Sequence, residues 1–270
     1  MIEAVLASIF GLLVGSFLNV CIHRMPRDLS VVAPRSFCPE CEEPIAWHDN
    51  IPVVSYLLLR ARCRKCGWRI PIRYPLVELA TGALFFLAVY LNGLSALAVK
   101  QCVFAALMVE LAVSDLESWI LPDEFTLGGT VLGLAFAFWV PIEPGIVTIL
   151  LGGRWGETGA SVAESVVGAV FAAFSLSFIV WLYEKVRQPD VEEIMGFGDV
   201  KLMALIGAFL GLHNTLFAVM LGSVAGTVTG VSLGLIKRKS LKETMMSMLP
   251  FGTFLCAGAL VVAYLRPYAG

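Results

Sequence analysis

Apolar positions run in long unbroken stretches along this chain, and polar and charged positions gather in the short segments between them. As helices, stretches of about 18 to 22 residues are long enough to cross a hydrocarbon core of about 30 Å. The pattern predicts eight such spans, over about residues 2–22, 75–92, 95–114, 123–141, 161–184, 200–212, 214–236 and 247–266. The sixth is short, with its apolar stretch running from Leu202 to Leu212, which fits a half-span or re-entrant element as well as a crossing. Residues 142–160, with Pro144, Gly145, Gly152, Gly153, Gly156 and Gly159, read as an external loop.

Composition agrees with the pattern. Of 270 residues, 58% are hydrophobic and 15% charged, which excludes an ordinary soluble domain. A net charge of −2 carries no information about partners, and no nucleic-acid partner is expected. The segment 1–22 lacks the basic n-region and small-residue cleavage site of a removable signal and reads as a retained first span. Three parts follow: that span, a polar insert at 23–74, and a seven-span core at 75–270. The insert carries Arg24, Arg27, Arg35, Arg60, Arg62, Arg64, Lys65, Arg69 and Arg73, which places it in the cytoplasm. Span parity then puts Lys185, Arg187, Lys237, Arg238, Lys239 and Lys242 on the same side, leaving mainly Lys100, Arg154 and Arg266 opposite. The two counts agree on an all-α polytopic protein of about eight spans with both termini outside.

Of seven cysteines, Cys38, Cys41, Cys63 and Cys66 form two Cys-x-x-Cys pairs, and Cys21, Cys102 and Cys256 lie in or beside apolar spans. Four thiolates suit tetrahedral Zn²⁺, and a set with no open position makes a structural site. An insert of this size cannot fold on its own apolar core, so metal ligation would supply folding energy. The alternative is four free thiols, with His48 a weaker candidate ligand. The insert's arginines also suit anionic lipid headgroups, or simply a solvated basic loop.

By this topology Asp115, at the end of the third span, and Asp199, at the start of the sixth, reach the same cytoplasmic edge. An ionisable group at the rim of the hydrocarbon persists mainly when it is paired, lines water or carries function. Two carboxylates brought together cannot easily both ionise, so the pair shares a proton, as in aspartic proteases. Gly196 and Gly198 flank Phe197 just before Asp199, where missing Cβ atoms let backbone or substrate approach closely. Pro122 suits the first turn of the fourth span, and Asp123 and Glu124 suit the positive end of that helix. Lys201 either tunes the carboxylates or anchors its span on the positive side.

The run Gly196-Phe197-Gly198-Asp199-Val200-Lys201-Leu202 resembles the G-x-G-D signature of intramembrane aspartic peptidases. Gly15-Ser16-Phe17-Leu18-Asn19-Val20 with His23-Arg24, Tyr74-Pro75-Leu76-Val77-Glu78-Leu79, Ser114-Asp115, Leu121-Pro122-Asp123 and Pro250-Phe251-Gly252 are similar to marks of the prepilin peptidase family in particular. The resemblance covers essentially the whole chain in order. It implies that Asp115 and Asp199 are the catalytic carboxylates of a bacterial inner-membrane enzyme. It further implies cleavage of type IV prepilins or type II secretion pseudopilins on the cytoplasmic side, after a glycine that precedes their hydrophobic helix. A second implied activity is methylation of the new N-terminus with S-adenosylmethionine, whose ligands the spacing does not name.

Competing readings are a competence-pseudopilin peptidase without methylation, an ion-coupled transporter, and a noncatalytic membrane anchor for a zinc module. Two aspartates at one end of the bundle with no second acidic layer disfavour the transporter, and the anchor leaves Gly196–Asp199 without purpose.

Overall fold

The computed structural model describes residues 1–142, 144–151, 155–187, 196–236 and 250–265. Arg154, Lys237, Arg238, Lys239, Lys242 and Arg266, used above for orientation, lie outside the described residues. The helices are α1 (Ile2–Arg24), α2 (Val54–Leu58), α3 (Arg73–Asn92), α4 (Ala96–Ser118), α5 (Asp123–Trp139), α6 (Ile146–Leu151), α7 (Gly156–Arg187), α8 (Phe197–Ile236) and α9 (Phe251–Leu265). Among the described residues there is no strand, only two isolated β-bridges in the insert. Among the described residues five helices, α1, α3, α4, α7 and α8, are long and apolar enough to cross a membrane, and α9 is a shorter apolar one. The protein is therefore an all-helical polytopic membrane protein.

The chain divides into two compact units, Met1–Glu110 and Leu111–Gly270. The first is held by an antiparallel seam between α1 and α3. A Cβ on Gly11 would stand 2.9 Å from Cα of Gly82, and one on Gly15 would stand 2.7 Å from Cα of Glu78. One turn on, Asn19 Nδ2 donates 3.0 Å to the Tyr74 carbonyl. Positions 11, 15 and 19 thus face 82, 78 and 74, a small-xxx-small approach that brings helix backbones close enough for dispersion to act. At the end of the seam Arg24 is buried and donates to the carbonyls of Ser30, Pro34 and Arg35 with its guanidinium over the Phe37 ring, which fixes the chain's entry into the insert.

In the second unit α8 packs against α5, α7 and α9. Gly168 on α7 meets Gly207 on α8 backbone to backbone, and Ser165 Oγ donates 2.6 Å to the Ala208 carbonyl. Gly258 on α9 fits against Ala218 and Gly222 of α8.

Three boundaries differ from the sequence reading. Helix α4 runs on through Asp115 to Ser118 and stops at Trp119, which takes φ +58°. The Ser118 hydroxyl folds back onto the Ser114 carbonyl at 2.7 Å, so the polar residues there extend the helix. The loop expected over 142–160 contains α6 and the start of α7. Its backbone is organised from afar: Glu164 Oε1 accepts the Gly145 and Thr148 N–H groups, each at 2.9 Å, a cap that local sequence cannot reveal. The sixth and seventh expected spans are two helices, written together here as α8, that meet at Gly211 with φ +74° and ψ 172°, slightly before the expected boundary. Only glycine adopts that conformation freely. The part before the break is about 21 Å long at 1.5 Å per residue, shorter than a bilayer core.

A candidate aspartyl dyad and a four-cysteine cluster

Asp115 projects from the last turn of α4 and is buried at 6% exposure. Its Oδ2 accepts two groups of one residue, the Thr253 N–H at 2.7 Å and the Thr253 hydroxyl at 3.1 Å. Asp199 stands half-buried in the first turn of α8, where its N–H bonds the Gly196 carbonyl at 3.1 Å. Gly252, in the first turn of α9, brings the two acids to one place. A Cβ there would lie 3.0 Å from Asp115 Oδ2 and 3.3 Å from Asp199 Oδ1. The sum of those distances is the most that can separate the two oxygens, close enough to flank a single water and a scissile carbonyl. The site is built from the starts of α8 and α9 and the end of α4, all within the second unit.

The supporting candidates fall around this pair. A Cβ on Gly198 would meet Leu121 at 3.2 Å, so its lack of a side chain lets the start of α8 lie against the α4–α5 turn. Gly196 is exposed and supplies the carbonyl that caps Asp199. Lys201 places its ammonium 2.6 Å from Asp123 Oδ1, tying α8 to the first turn of α5, and lies over the Phe197 ring. Its direct partner is therefore Asp123.

In the first unit the thiols of Cys38, Cys41, Cys63 and Cys66 lie within 4.8 Å of one another. The two pairs sit on matching turns. Cys38 N–H bonds the Glu43 carbonyl and Cys63 N–H the Trp68 carbonyl; Glu42 and Gly67 N–H return to Cys38 and Cys63 carbonyls. Glu42 and Gly67 both take positive φ, and a β-bridge closes each turn, Phe37 with Pro44 and Arg62 with Arg69. The Cys38 and Cys66 sulfurs are 3.8 Å apart, which matches the edge of a tetrahedron built on Zn–S bonds of about 2.3 Å. Backbone N–H groups of Cys66 and Lys65 hold the Cys63 thiol down to about 7, whereas burial pushes the Cys38 thiol up; it is the spacing of the four sulfurs that suits a metal. The four residues fit a zinc ion. His48 stands apart, beside Asp49 at 3.8 Å, and Asp49 also receives a bidentate Arg64.

Sequence reasoning singled out Pro250-Phe251-Gly252 without giving it a role, and it missed Thr253. A hydroxyl residue directly after that glycine was the available signal. It quoted Glu78 within Tyr74–Leu79 without giving it a role, and it passed over the buried carboxylates Glu110 and Glu164, which lie within apolar runs.

The profile of the bacterial peptidase A24 N-terminal domain matches residues 9–92, and that of the type IV leader peptidase family matches residues 102–231. The chain is 40% identical over 228 residues to a prepilin leader peptidase/N-methyltransferase of Myxococcus xanthus, covering 84% of this chain and 62% of that protein. It is 39% identical to one of Klebsiella pneumoniae, covering 80% of this chain and 88% of that one. A Burkholderia pseudomallei protein of the same name is 34% identical over 96% of this chain and 84% of its own length. The chain belongs to the type IV leader peptidase family. No solved structure matches it. Both candidate aspartates fall within the stretch matched by the type IV leader peptidase profile, and all four cysteines fall within the N-terminal profile.

Proposed function

We propose that this chain is a membrane aspartic endopeptidase that removes the leader of type IV prepilins or pseudopilins after a glycine, and N-methylates the new N-terminus. Its catalytic pair is Asp115 and Asp199. The observation that carries the reading is Gly252, which lies within van der Waals reach of an oxygen from each acid.

With one proton shared by the pair, the ionised carboxylate takes a proton from a water while the protonated one donates to the scissile carbonyl oxygen. The water oxygen bonds the carbonyl carbon to give a tetrahedral diol. Collapse then breaks the C–N bond, and the amine leaves with a proton from the dyad. The exposed backbone at Gly196, where an added Cβ would meet nothing nearer than the Gly198 nitrogen at 3.9 Å, leaves room for an extended peptide at the start of α8. Lys201 acts through Asp123 by holding the start of α8 in place.

Cys38, Cys41, Cys63 and Cys66 hold a structural Zn²⁺ that stabilises the insert. S-adenosylmethionine, when bound, supplies the methyl group for the freed amine. The chain crosses the bacterial inner membrane about eight times, counting α8 as two segments around Gly211, with the insert and the dyad facing the cytoplasm.

The test is cleavage of a purified prepilin by the full chain in detergent, with mass spectrometry of the product N-terminus. Cleavage after the glycine, lost by at least 10³-fold in both Asp115→Asn and Asp199→Asn, is the expected result. An added methyl mass marks the second activity. Persistent cleavage in either variant would reject the dyad and move the role to Asp123.

A further inference from the structure

The short helix α2 of the insert turns its apolar side outward. Val54, Leu57 and Leu58 are 48%, 68% and 77% exposed. Ile51, also exposed, extends the stripe by a turn, since its carbonyl accepts the Ser55 N–H at 3.0 Å. On the opposite side Ser55 is buried, its hydroxyl donating to the His48 carbonyl and accepting the Ile51 N–H, each at 2.9 Å. Those polar bonds fix the roll of the turn, so its large aliphatic side chains stay on the outside. A cluster of this kind on a polar insert marks a contact surface.

The level of α2 along the spanning helices follows from the residue before it. Val53 N–H donates 2.7 Å to Glu78 Oε2, and Val53 takes φ +60° in doing so, a costly conformation for a β-branched residue. Glu78 meets Gly15 at the α1–α3 seam, whereas the apolar run of α1 continues to Ile22. Those seven residues make about 10 Å of helix. Even with the Glu78 side chain leaning back toward the start of α3, α2 is held at a level where α1 is still apolar and where α3 exposes Leu76 and Leu79. Its aliphatic side chains therefore lie level with the lipid-facing surface of a spanning helix.

The other border of the turn is basic. Arg60 follows α2 directly, and Arg62 and Arg69 pair backbones across the β-bridge of the second cysteine turn; all three are exposed. Arg64 and Lys65 are engaged by Asp49 and Glu43, but among the described residues Arg60, Arg62 and Arg69 make no ion pair. An aliphatic turn edged by unengaged guanidinium groups complements the headgroup–acyl boundary of an anionic leaflet. Five residues are too few to bind a bilayer alone. Tied to α3, however, α2 meets the membrane as an intramolecular event.

We propose that α2 is an interfacial helix: Val54, Leu57 and Leu58 sit in the surface of the bilayer that α3 crosses, and Arg60, Arg62 and Arg69 hold anionic phospholipid headgroups at its edge. This placement needs only that α3 cross the bilayer and is independent of the peptidase reading. It makes the insert a membrane-seated element and not a freely solvated loop.

The test is photo-crosslinking of the zinc-loaded full chain in nanodiscs of phosphatidylcholine with phosphatidylglycerol, with p-benzoylphenylalanine replacing Leu58, Leu76 or Glu40 in turn. Leu76 reports the lipid-facing side of α3, and Glu40 is an exposed acid on the first cysteine turn. Intact-mass spectrometry should show phospholipid adducts at Leu58 and Leu76, and at least about 10-fold fewer at Glu40, as expected for a face seated in the interface. The label at Leu57, also exposed, should behave as at Leu58 and serves where the latter disturbs the fold. Adducts at Leu58 should be enriched in phosphatidylglycerol over its share of the bilayer, and Arg60→Gln, Arg62→Gln and Arg69→Gln combined should abolish that enrichment. Lipid adducts at Leu76 with none at Leu57 or Leu58 would overturn the interfacial placement, as would adducts there to a second copy of the chain. Enrichment that survives the triple substitution would overturn the role of the arginines. Absence of lipid adducts at Leu76 as well would remove the crossing of α3 on which the placement depends.

Discussion

Thr253 offers one hydroxyl proton and faces two acceptors, Asp115 Oδ2 at 3.1 Å and the Ala112 carbonyl at 2.9 Å. The proton can satisfy only one of them at a time. When Asp115 is ionised the hydroxyl turns to the carboxylate; when Asp115 carries the shared proton, the hydroxyl turns to the Ala112 carbonyl and leaves that proton for the scissile carbonyl oxygen. The side chain is suited to both states of a dyad that passes a proton back and forth. Its N–H, at 2.7 Å, stays on Oδ2 throughout. Thr253→Val keeps the shape and the N–H but loses the hydroxyl, removing a hydrogen bond to a charged group worth about 1.5–3 kcal/mol. It should therefore lower kcat for prepilin cleavage about 10- to 100-fold with KM little changed, and Thr253→Ser should recover most of the loss. Equal activity of Thr253→Val and wild type across the pH profile would show that the hydroxyl has no part in positioning Asp115.

The helices of each unit meet through glycine, and this is where the pattern of the sequence was least informative. Long apolar runs made the existence of the helices legible, and Gly196-Phe197-Gly198-Asp199 made one acid of the site legible, because both signals are local. Which residue of α9 approaches the dyad was not legible, since Gly252 acquires its role only when α9 is packed against the ends of α4 and α8. The same holds for Gly168 and Gly207, which read as ordinary members of apolar runs, yet a Cβ on Gly168 would stand 2.7 Å from the Gly207 carbonyl oxygen. Adding even a methyl there forces backbones apart, an overpacking that costs about 1–3 kcal/mol. Gly168→Ala should lower the apparent Tm in detergent by several degrees. Gly128→Ala, where no atom lies within 4 Å of the added Cβ, should leave it unchanged or slightly raised, since alanine is the better helix former. Equal Tm values for the two variants would mean that α7 and α8 are not held together at this seam.

For the whole molecule the decisive property is which side of the membrane each end of the bundle faces, because a leader presented on one side can be cut only there. The insert carries nine lysines and arginines between residues 24 and 73, and Lys/Arg-rich loops of this length are retained in the cytoplasm. Helix α1 enters the insert at Arg24 and α3 leaves it at Arg73, so the insert's side fixes the direction of both helices. On the topology proposed above, in which α3 and α4 each cross once, Asp115 is expected on the insert's side of the bilayer. Cys66 is exposed and provides a chemical reporter for this arrangement. After removal of metal with a chelator, a membrane-impermeant maleimide should label Cys66 in inverted inner-membrane vesicles and not in intact spheroplasts, with the labelled residue located by peptide mass spectrometry. Labelling confined to spheroplasts would turn the whole bundle over and place the dyad on the opposite side. Cleavage of a prepilin whose leader is confined to the cytoplasm would then have to be explained by another enzyme.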